Sequence, residues 1–203
     1  MLVIINYNLG NLKSIQNMIR KIGFESKITN NIEEIRGATK LILPGVGAFD
    51  NGMHNLKELG LISVLEKEIL ENKKPILGIC LGMQLLTKKS EEGTLSGLGF
   101  IDAETKLFKL ENTYKIPHMG WNTAKPIKKS KLFSEMENQE NRFYFVHSYY
   151  VDCSNTDDIL TVTKYGTEFV SMFEHENIIG AQFHPEKSHK FGMQLLKNFL
   201  ENY

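Results

Sequence analysis

The chain has 203 residues, 41% hydrophobic and 24% charged, enough apolar content for one compact domain (residues 1–203) with a sizeable core. Lysine plus arginine and aspartate plus glutamate each number 24, so no net charge draws in nucleic acid or an anionic membrane. No apolar run approaches a membrane span, the apolar start at residues 1–5 is too short for a leader's core, and Cys80 and Cys153 make no disulfide framework, which together point to a reducing cytoplasm.

Residues 2–5 predict a short central strand, and the Asn- and Gly-rich residues 6–11 predict a turn. Ile15, Met18, Ile19 and Ile22 recur at helical spacing over residues 14–22, and Gly23 stops that helix. A weaker strand follows at 25–28 and a stronger one at 40–43, ended by Pro44-Gly45-Val46-Gly47. Residues 56–70 read as one helix, with Leu61, Ile62, Leu65 and Ile69 on one side. This alternation of strand and helix is the pattern of an α/β fold whose mostly parallel sheet is flanked by helices.

The next segment, Pro75-Ile76-Leu77-Gly78-Ile79-Cys80-Leu81-Gly82-Met83-Gln84, begins as a buried strand and ends as a helix. Cys80 stands at the junction with a glycine two residues away on each side. That is the spacing of a nucleophile elbow, in which a sharp turn lifts the reactive atom out of the sheet. A small core cysteine would also suit an apolar run, but would not require both glycines. At the start of a helix, the elbow sulfur would be favoured as a thiolate.

Beyond residue 98 the pattern changes. Residues 99–110, 142–152, 159–165, 168–174 and 178–183 are strand-like and rich in β-branched or aromatic residues. Turns such as Tyr165-Gly166-Thr167 predict an antiparallel extension of the sheet. The charged stretch 125–142 reads as a solvated surface excursion, and residues 191–200 as a closing amphipathic helix.

A cysteine nucleophile needs an imidazole, and the imidazole needs an acceptor to orient it. Among six histidines, His184 ends an apolar strand and is followed by Pro185 and Glu186, a carboxylate able to fold back on the ring. A strand-end histidine beside an ordinary surface glutamate is the competing reading. The glycines of Pro44-Gly45-Val46-Gly47 could turn backbone N–H groups towards an oxyanion, together with the N–H after Cys80. No Lys-Ser/Thr pair follows them, so they are not a phosphate-binding P-loop. The histidines show no zinc spacing, and neither metal nor cofactor is expected. Trp121, the single tryptophan, reads either as core or as an interface anchor on a polar loop.

Gly78-Ile79-Cys80-Leu81-Gly82-Met83-Gln84 and Phe183-His184-Pro185-Glu186-Lys187-Ser188 resemble the two signatures of class I (triad) glutamine amidotransferases. Within that family, three further runs are similar to the glutaminase subunits of imidazole glycerol phosphate synthases. They are Leu43-Pro44-Gly45-Val46-Gly47-Ala48-Phe49, Pro117-His118-Met119-Gly120-Trp121-Asn122, and Phe143-Tyr144-Phe145-Val146-His147-Ser148-Tyr149-Tyr150. The resemblance implies a flavodoxin-like fold and hydrolysis of glutamine to glutamate and ammonia. It also implies a heterodimer with a (β/α)8-barrel cyclase that receives the ammonia and makes imidazole glycerol phosphate in histidine biosynthesis. By position it makes Cys80 the nucleophile, His184 the base and then acid, and Glu186 the orienter. It assigns Gly45, Val46, Gly47, Leu81, Gln84, Ser148 and Tyr149 to glutamine and the oxyanion. It turns Asn11, His118, Met119, Trp121, Asn122 and Lys187 towards the cyclase, and implies that the oxyanion strand stays unproductive until the partner's ligand binds. Two departures stand out. Asn6-Tyr7-Asn8 replaces the usual Asp-Tyr-Gly, and the run His189-Lys190-Phe191-Gly192 resembles paralogues that serve a sugar-modifying synthase in cell-surface glycan pathways. A Cys-elbow peptidase or deglycase is the third reading.

Overall fold

The computed structural model describes residues 1–136 and 139–203. In chain order the first half runs β1 (Leu2–Ile5), α1 (Leu12–Lys21), β2 (Ser26–Thr29), α2 (Ile32–Arg36), β3 (Lys40–Gly45), α3 (Phe49–Glu58), α4 (Leu61–Glu66), β4 (Ile76–Cys80) and α5 (Leu81–Leu85). The second half runs β5 (Ala103–Leu107), β6 (His118–Thr123), β7 (Lys125–Pro126), β8 (Arg142–His147), β9 (Tyr149–Cys153), β10 (Ile159–Tyr165), β11 (Thr167–His175), β12 (Ile178–Ala181) and α6 (His189–Asn202).

Among the described residues, the strands β2-β1-β3-β4-β12-β11-β10-β7 lie side by side in one sheet, with β9 joined to β11 and β5 to β9. From β2 to β12 the pairings are parallel, and from β12 onward they are antiparallel. Strands β6 and β8 form a separate antiparallel ribbon. Alternation along β1 shows how the sheet separates two cores. Val3 and Ile5 pack with Leu56, Leu65 and Leu85 from α3, α4 and α5, whereas Leu2 and Ile4 pack with Ile15, Ile19, Leu195 and Phe199 from α1 and α6. Local signals support these helices. The Asn31 side chain accepts from Glu34 N at the start of α2, and Arg20 and Lys21 stand in the last turn of α1, where the helix dipole favours cations.

Three expectations change. The helix expected over 56–70 is divided: α3 ends at Glu58, Gly60 takes a left-handed φ of 65°, α4 follows, and Lys67–Glu71 forms a π-helical turn. Hydrophobic spacing continues through such a break, so periodicity alone conceals it. The stretch 125–142 is not a solvated excursion: Leu132, Phe133 and Met136 are fully buried, and Asn198 of α6 donates to Leu132 O and Ser134 O. Residues 137–138 of that stretch lie outside the described residues. Finally, Trp121 stands on strand β6 rather than on a loop.

Candidate active site

Strand β4 delivers Cys80 and α5 begins at the next residue, so the chain must reverse its geometry in a single step. Cys80 takes φ 53° and ψ −110°, a left-handed backbone that only surrounding packing can hold in a non-glycine residue. Both flanking glycines are needed for close approach rather than for their torsions. A Cβ on Gly82 would stand 1.8 Å from Leu43 O, and one on Gly78 would stand 2.7 Å from Gly82 O. The elbow is therefore wedged against β3, and the parallel register sets Gly45 directly beside Cys80. A Cβ on Gly45 would meet the Tyr7 hydroxyl at 2.2 Å, and Gly47 takes φ 119°, a value that L side chains rarely adopt.

His184 reaches the same place from the far end of the chain, because β12 lies next to β4 in the sheet. Its backbone is tied to β8 twice: His184 N donates to Tyr144 O at 2.9 Å, and Ser188 Oγ links His184 O to Tyr144 N. His184 Nδ1 meets Glu186 Oε1 at 2.8 Å, with both side chains 2% exposed. The carboxylate can only accept, so Nδ1 carries the proton and the buried Nε2 is left without a hydrogen-bond partner, available to the sulfur. Burial alone would push the imidazole down. Its interactions with Cys80 and with Glu186 overcome that cost, and the pKa is pushed up to about 10.

A cavity of about 270 Å³ opens over these groups, lined by Val46, Gly47, Cys80, Leu81, Gln84, Glu92, Val146, His147, Ser148, Tyr149 and His184. The structure thus brings together on one small cavity all the expected glutamine-site residues except Gly45, which lies behind its wall. Glu92, His147 and Gln182 were not anticipated. Glu92 is the only carboxylate among the described lining residues, and it accepts from Phe49 N at 2.8 Å. Its loop is clasped at the start of α3, where the Asp50 carboxylate accepts from Thr94 N and Leu95 N. The Ser- and Gly-rich residues 90–97 signal a loop, but nothing local announces that it reaches the site. Gln182 is fully buried, and its Nε2 donates to Cys80 Sγ at 3.7 Å while its Oε1 accepts from Gln84 Nε2 at 3.1 Å. His147 lay in plain view in the His-Ser-Tyr run, but only the structure turns it into the site.

The residues expected at a partner surface divide. Met119 and Trp121 are 61% and 40% exposed, and Asn11 and Lys187 are also exposed. Trp121 stacks on His189 with centroids 5.5 Å apart and planes 5° from parallel, and the Lys187 ammonium lies 5.7 Å from the Tyr144 ring centre. Asn122 is half-buried. His118 is not a surface residue: it is 2% exposed and stacks inward on Tyr165, because alternate residues of β6 point to opposite faces. The Asn6 and Asn8 departures keep a working turn. Asn8 takes φ 65°, which asparagine tolerates better than most residues, and its N–H donates to Asn6 Oδ1.

Cys80 and Cys153 are both free, and burial pushes the Cys153 thiol up to about 12, which makes it a poor second nucleophile. Among the described residues no group of three or more His, Cys, Asp or Glu is placed to hold a metal ion, and no helix is long and apolar enough to cross a membrane.

An elbow cysteine, a carboxylate-oriented histidine and a glycine-rich strand on a parallel sheet are the parts with which a thiol enzyme acts on a carbonyl carbon. The chain matches the family described as glutamine amidotransferase class-I over residues 3–203, and it belongs to that family. Within the family it is 60% identical over 201 residues to the imidazole glycerol phosphate synthase subunit HisH 2 of Methanococcus maripaludis, covering 99% of each chain. It is 48% identical to the subunit of the same name from Pseudomonas aeruginosa, also over 99% of both. A solved glutamine amidotransferase shares the fold at a TM-score of 0.75 and 18% identity, with 98% of this chain and 97% of that one covered.

Proposed function

We propose that the chain is the glutaminase subunit of an imidazole glycerol phosphate synthase, hydrolysing L-glutamine to L-glutamate and ammonia at Cys80, His184 and Glu186. The observation that carries this reading is the meeting of Cys80 and the Glu186-oriented His184 on one small cavity. The Cys80 thiolate attacks the carboxamide carbon. The developing oxyanion is held by backbone N–H groups from Val46 and Gly47 and from Leu81, which begins α5 and so has no partner inside the helix, while Gly45 behind them lets β3 pass close to Leu81. The imidazolium of His184 protonates the departing ammonia and leaves a thioester. The neutral imidazole then takes a proton from water, hydroxide adds to the thioester carbon, and the thiolate leaves with glutamate released.

The cavity suits one free amino acid better than a peptide threaded through a cleft. Glu92 supplies a carboxylate for an α-ammonium group, and Gln84, Ser148 and Tyr149 supply polar contacts around the rest of the molecule. Met119, Trp121, Lys187 and Asn11 form the surface that receives the (β/α)8-barrel cyclase, with Trp121 as its aromatic anchor. The match from residue 3 to residue 203 supports reading the whole chain as one amidotransferase unit, working in the cytoplasm where the elbow thiol stays reduced.

A second reading keeps the glutaminase chemistry and changes only the acceptor to a sugar-modifying synthase, on the strength of the run from His189 to Gly192. One experiment separates the readings. In the complex with a cyclase subunit, glutamine should support formation of imidazole glycerol phosphate, Cys80→Ala should abolish it, and added ammonium should restore it. A complex that hydrolyses glutamine without forming this product favours the second reading. Glutamine turnover that survives Cys80→Ala refutes the site.

A further inference from the structure

Along one wall of the glutamine cavity a line of polar groups, half-buried at Asn122 and buried from His118 inward, runs from β6 to Cys80. Asn122 Nδ2 lies 3.2 Å from His118 Nε2, His118 Nδ1 lies 3.0 Å from His147 Nε2, and His147 Nδ1 lies 2.7 Å from Tyr149 O. Tyr149 O also accepts from Gln84 Nε2 at 3.3 Å. Gln84 Nε2 continues to Gln182 Oε1, and Gln182 Nε2 to the sulfur.

The direction of every bond in this line follows from its ends. Tyr149 O is a carbonyl and only accepts, so His147 Nδ1 carries hydrogen. In the neutral ring His147 Nε2 is then an acceptor, so His118 Nδ1 donates to it. His118 Nε2 in turn accepts from Asn122 Nδ2, and the other Nδ2 hydrogen goes to Lys164 O at 3.0 Å, which fixes the Asn122 amide against a flip. Each ring has one proton and each proton has one acceptor. A second proton on either ring would set two donors face to face, in a site where both histidines are buried.

We infer that His118 and His147 are positioning residues for the glutaminase, a pair of neutral imidazoles that ties the partner-facing strand β6 to the carbonyl of Tyr149 and through it to the glutamine cavity. The bond from His147 to Tyr149 O spans Ser148, where β8 gives way to β9, and so sets the shape of the cavity wall formed by residues 146–149. Alternate residues of β6 serve two sides: Met119 and Trp121 face outward, and His118 faces the relay. A load applied to the outer face of β6 is thus carried by a continuous chain of hydrogen bonds to Gln84 and Cys80. Burial favours the neutral form of both rings, since desolvation pushes His118 down to about 4 and His147, which also faces His118 and His184, down to about 3.

The kinetic part of this inference rests on the proposed glutaminase reaction, but the tautomers do not. With ¹⁵N-labelled histidine in the full chain at pH 7, the two rings whose signals are lost in His118→Asn and in His147→Asn should be neutral and protonated at Nδ1. An Nε2-protonated or doubly protonated ring at either position overturns the inference. In the complex with its cyclase subunit, His118→Phe keeps the ring stacked on Tyr165 but removes the donor, and KM for glutamine should rise ~10-fold with a smaller effect on kcat. His118→Asn places an amide N–H where Nδ1 stood and should recover most of that loss. A KM unchanged in His118→Phe, or equal losses in the two variants, overturns the inference. If His118→Phe fails to fold, the tautomers in the unsubstituted chain and the His118→Asn kinetics decide. If the unsubstituted complex turns over no glutamine, the proposed function fails and the tautomers alone decide the relay.

Discussion

Replacing Glu186 by glutamine removes one charge and alters little shape, so it isolates what the carboxylate does for His184. The pair is 2.8 Å apart and nearly inaccessible to water, and the imidazole is pushed up to about 10 against the cost of its burial. A hydrogen bond between charged groups contributes roughly 1.5–3 kcal/mol, which at about 1.4 kcal/mol per pH unit is a fall of about one to two units in the His184 pKa. The alkaline limb of glutamine turnover should therefore move from about 10 in the unsubstituted enzyme to roughly 8–9 in Glu186→Gln. Because the orienting acceptor is lost as well, kcat should fall ~10²- to 10⁴-fold. Stability follows the same sign. A histidine raised above its unfolded value of 6.5 contributes fully below about pH 6.5 and progressively less as pH approaches about 10. The melting temperature of the unsubstituted chain should thus decline over that interval more steeply than that of Glu186→Gln. Steady-state glutamine hydrolysis in the complex between pH 6 and 11, with parallel melting curves, checks both. An unmoved alkaline limb, or a kcat loss below ~10-fold, would refute the assignment of Glu186 as orienter.

Three further outcomes are expected. Gly82→Ala forces a Cβ to within 1.8 Å of Leu43 O, a backbone atom that cannot swing away, so it should destabilise the chain by ~1–3 kcal/mol or more and be read directly in urea midpoints. Glu92→Gln keeps the contact with Phe49 N possible but removes the charge proposed for the α-ammonium, and KM for glutamine should rise ~10- to 100-fold with kcat largely retained. Trp121→Ala removes an exposed ring that touches only His189 and Tyr144 among its aromatic neighbours, so folding should be nearly unaffected while affinity for the cyclase, measured by titration, falls by more than ~10-fold.

What residue order decided by itself is the chemistry carried by short spacing. Gly78, Cys80 and Gly82 declare an elbow because a reversal that tight excludes side chains beside it, and His184 with Glu186 two residues later can be oriented locally. The apolar runs of β1, β3 and β4 likewise declare a sheet buried on both faces. Tertiary structure decided everything that depends on distant segments meeting. That His184 stands over Cys80 follows from β12 pairing with β4, a contact across about half the chain that no local pattern encodes. The loop of Glu92 is held by Asp50, and His118 turns inward only because β6 pairs with β8 and packs on Tyr165. The burial of Leu132, Phe133 and Met136 belongs to the same class, since it depends on which neighbours cover them and the fold assigns those neighbours, whereas the break at Gly60 is a local glycine stop with open space around it.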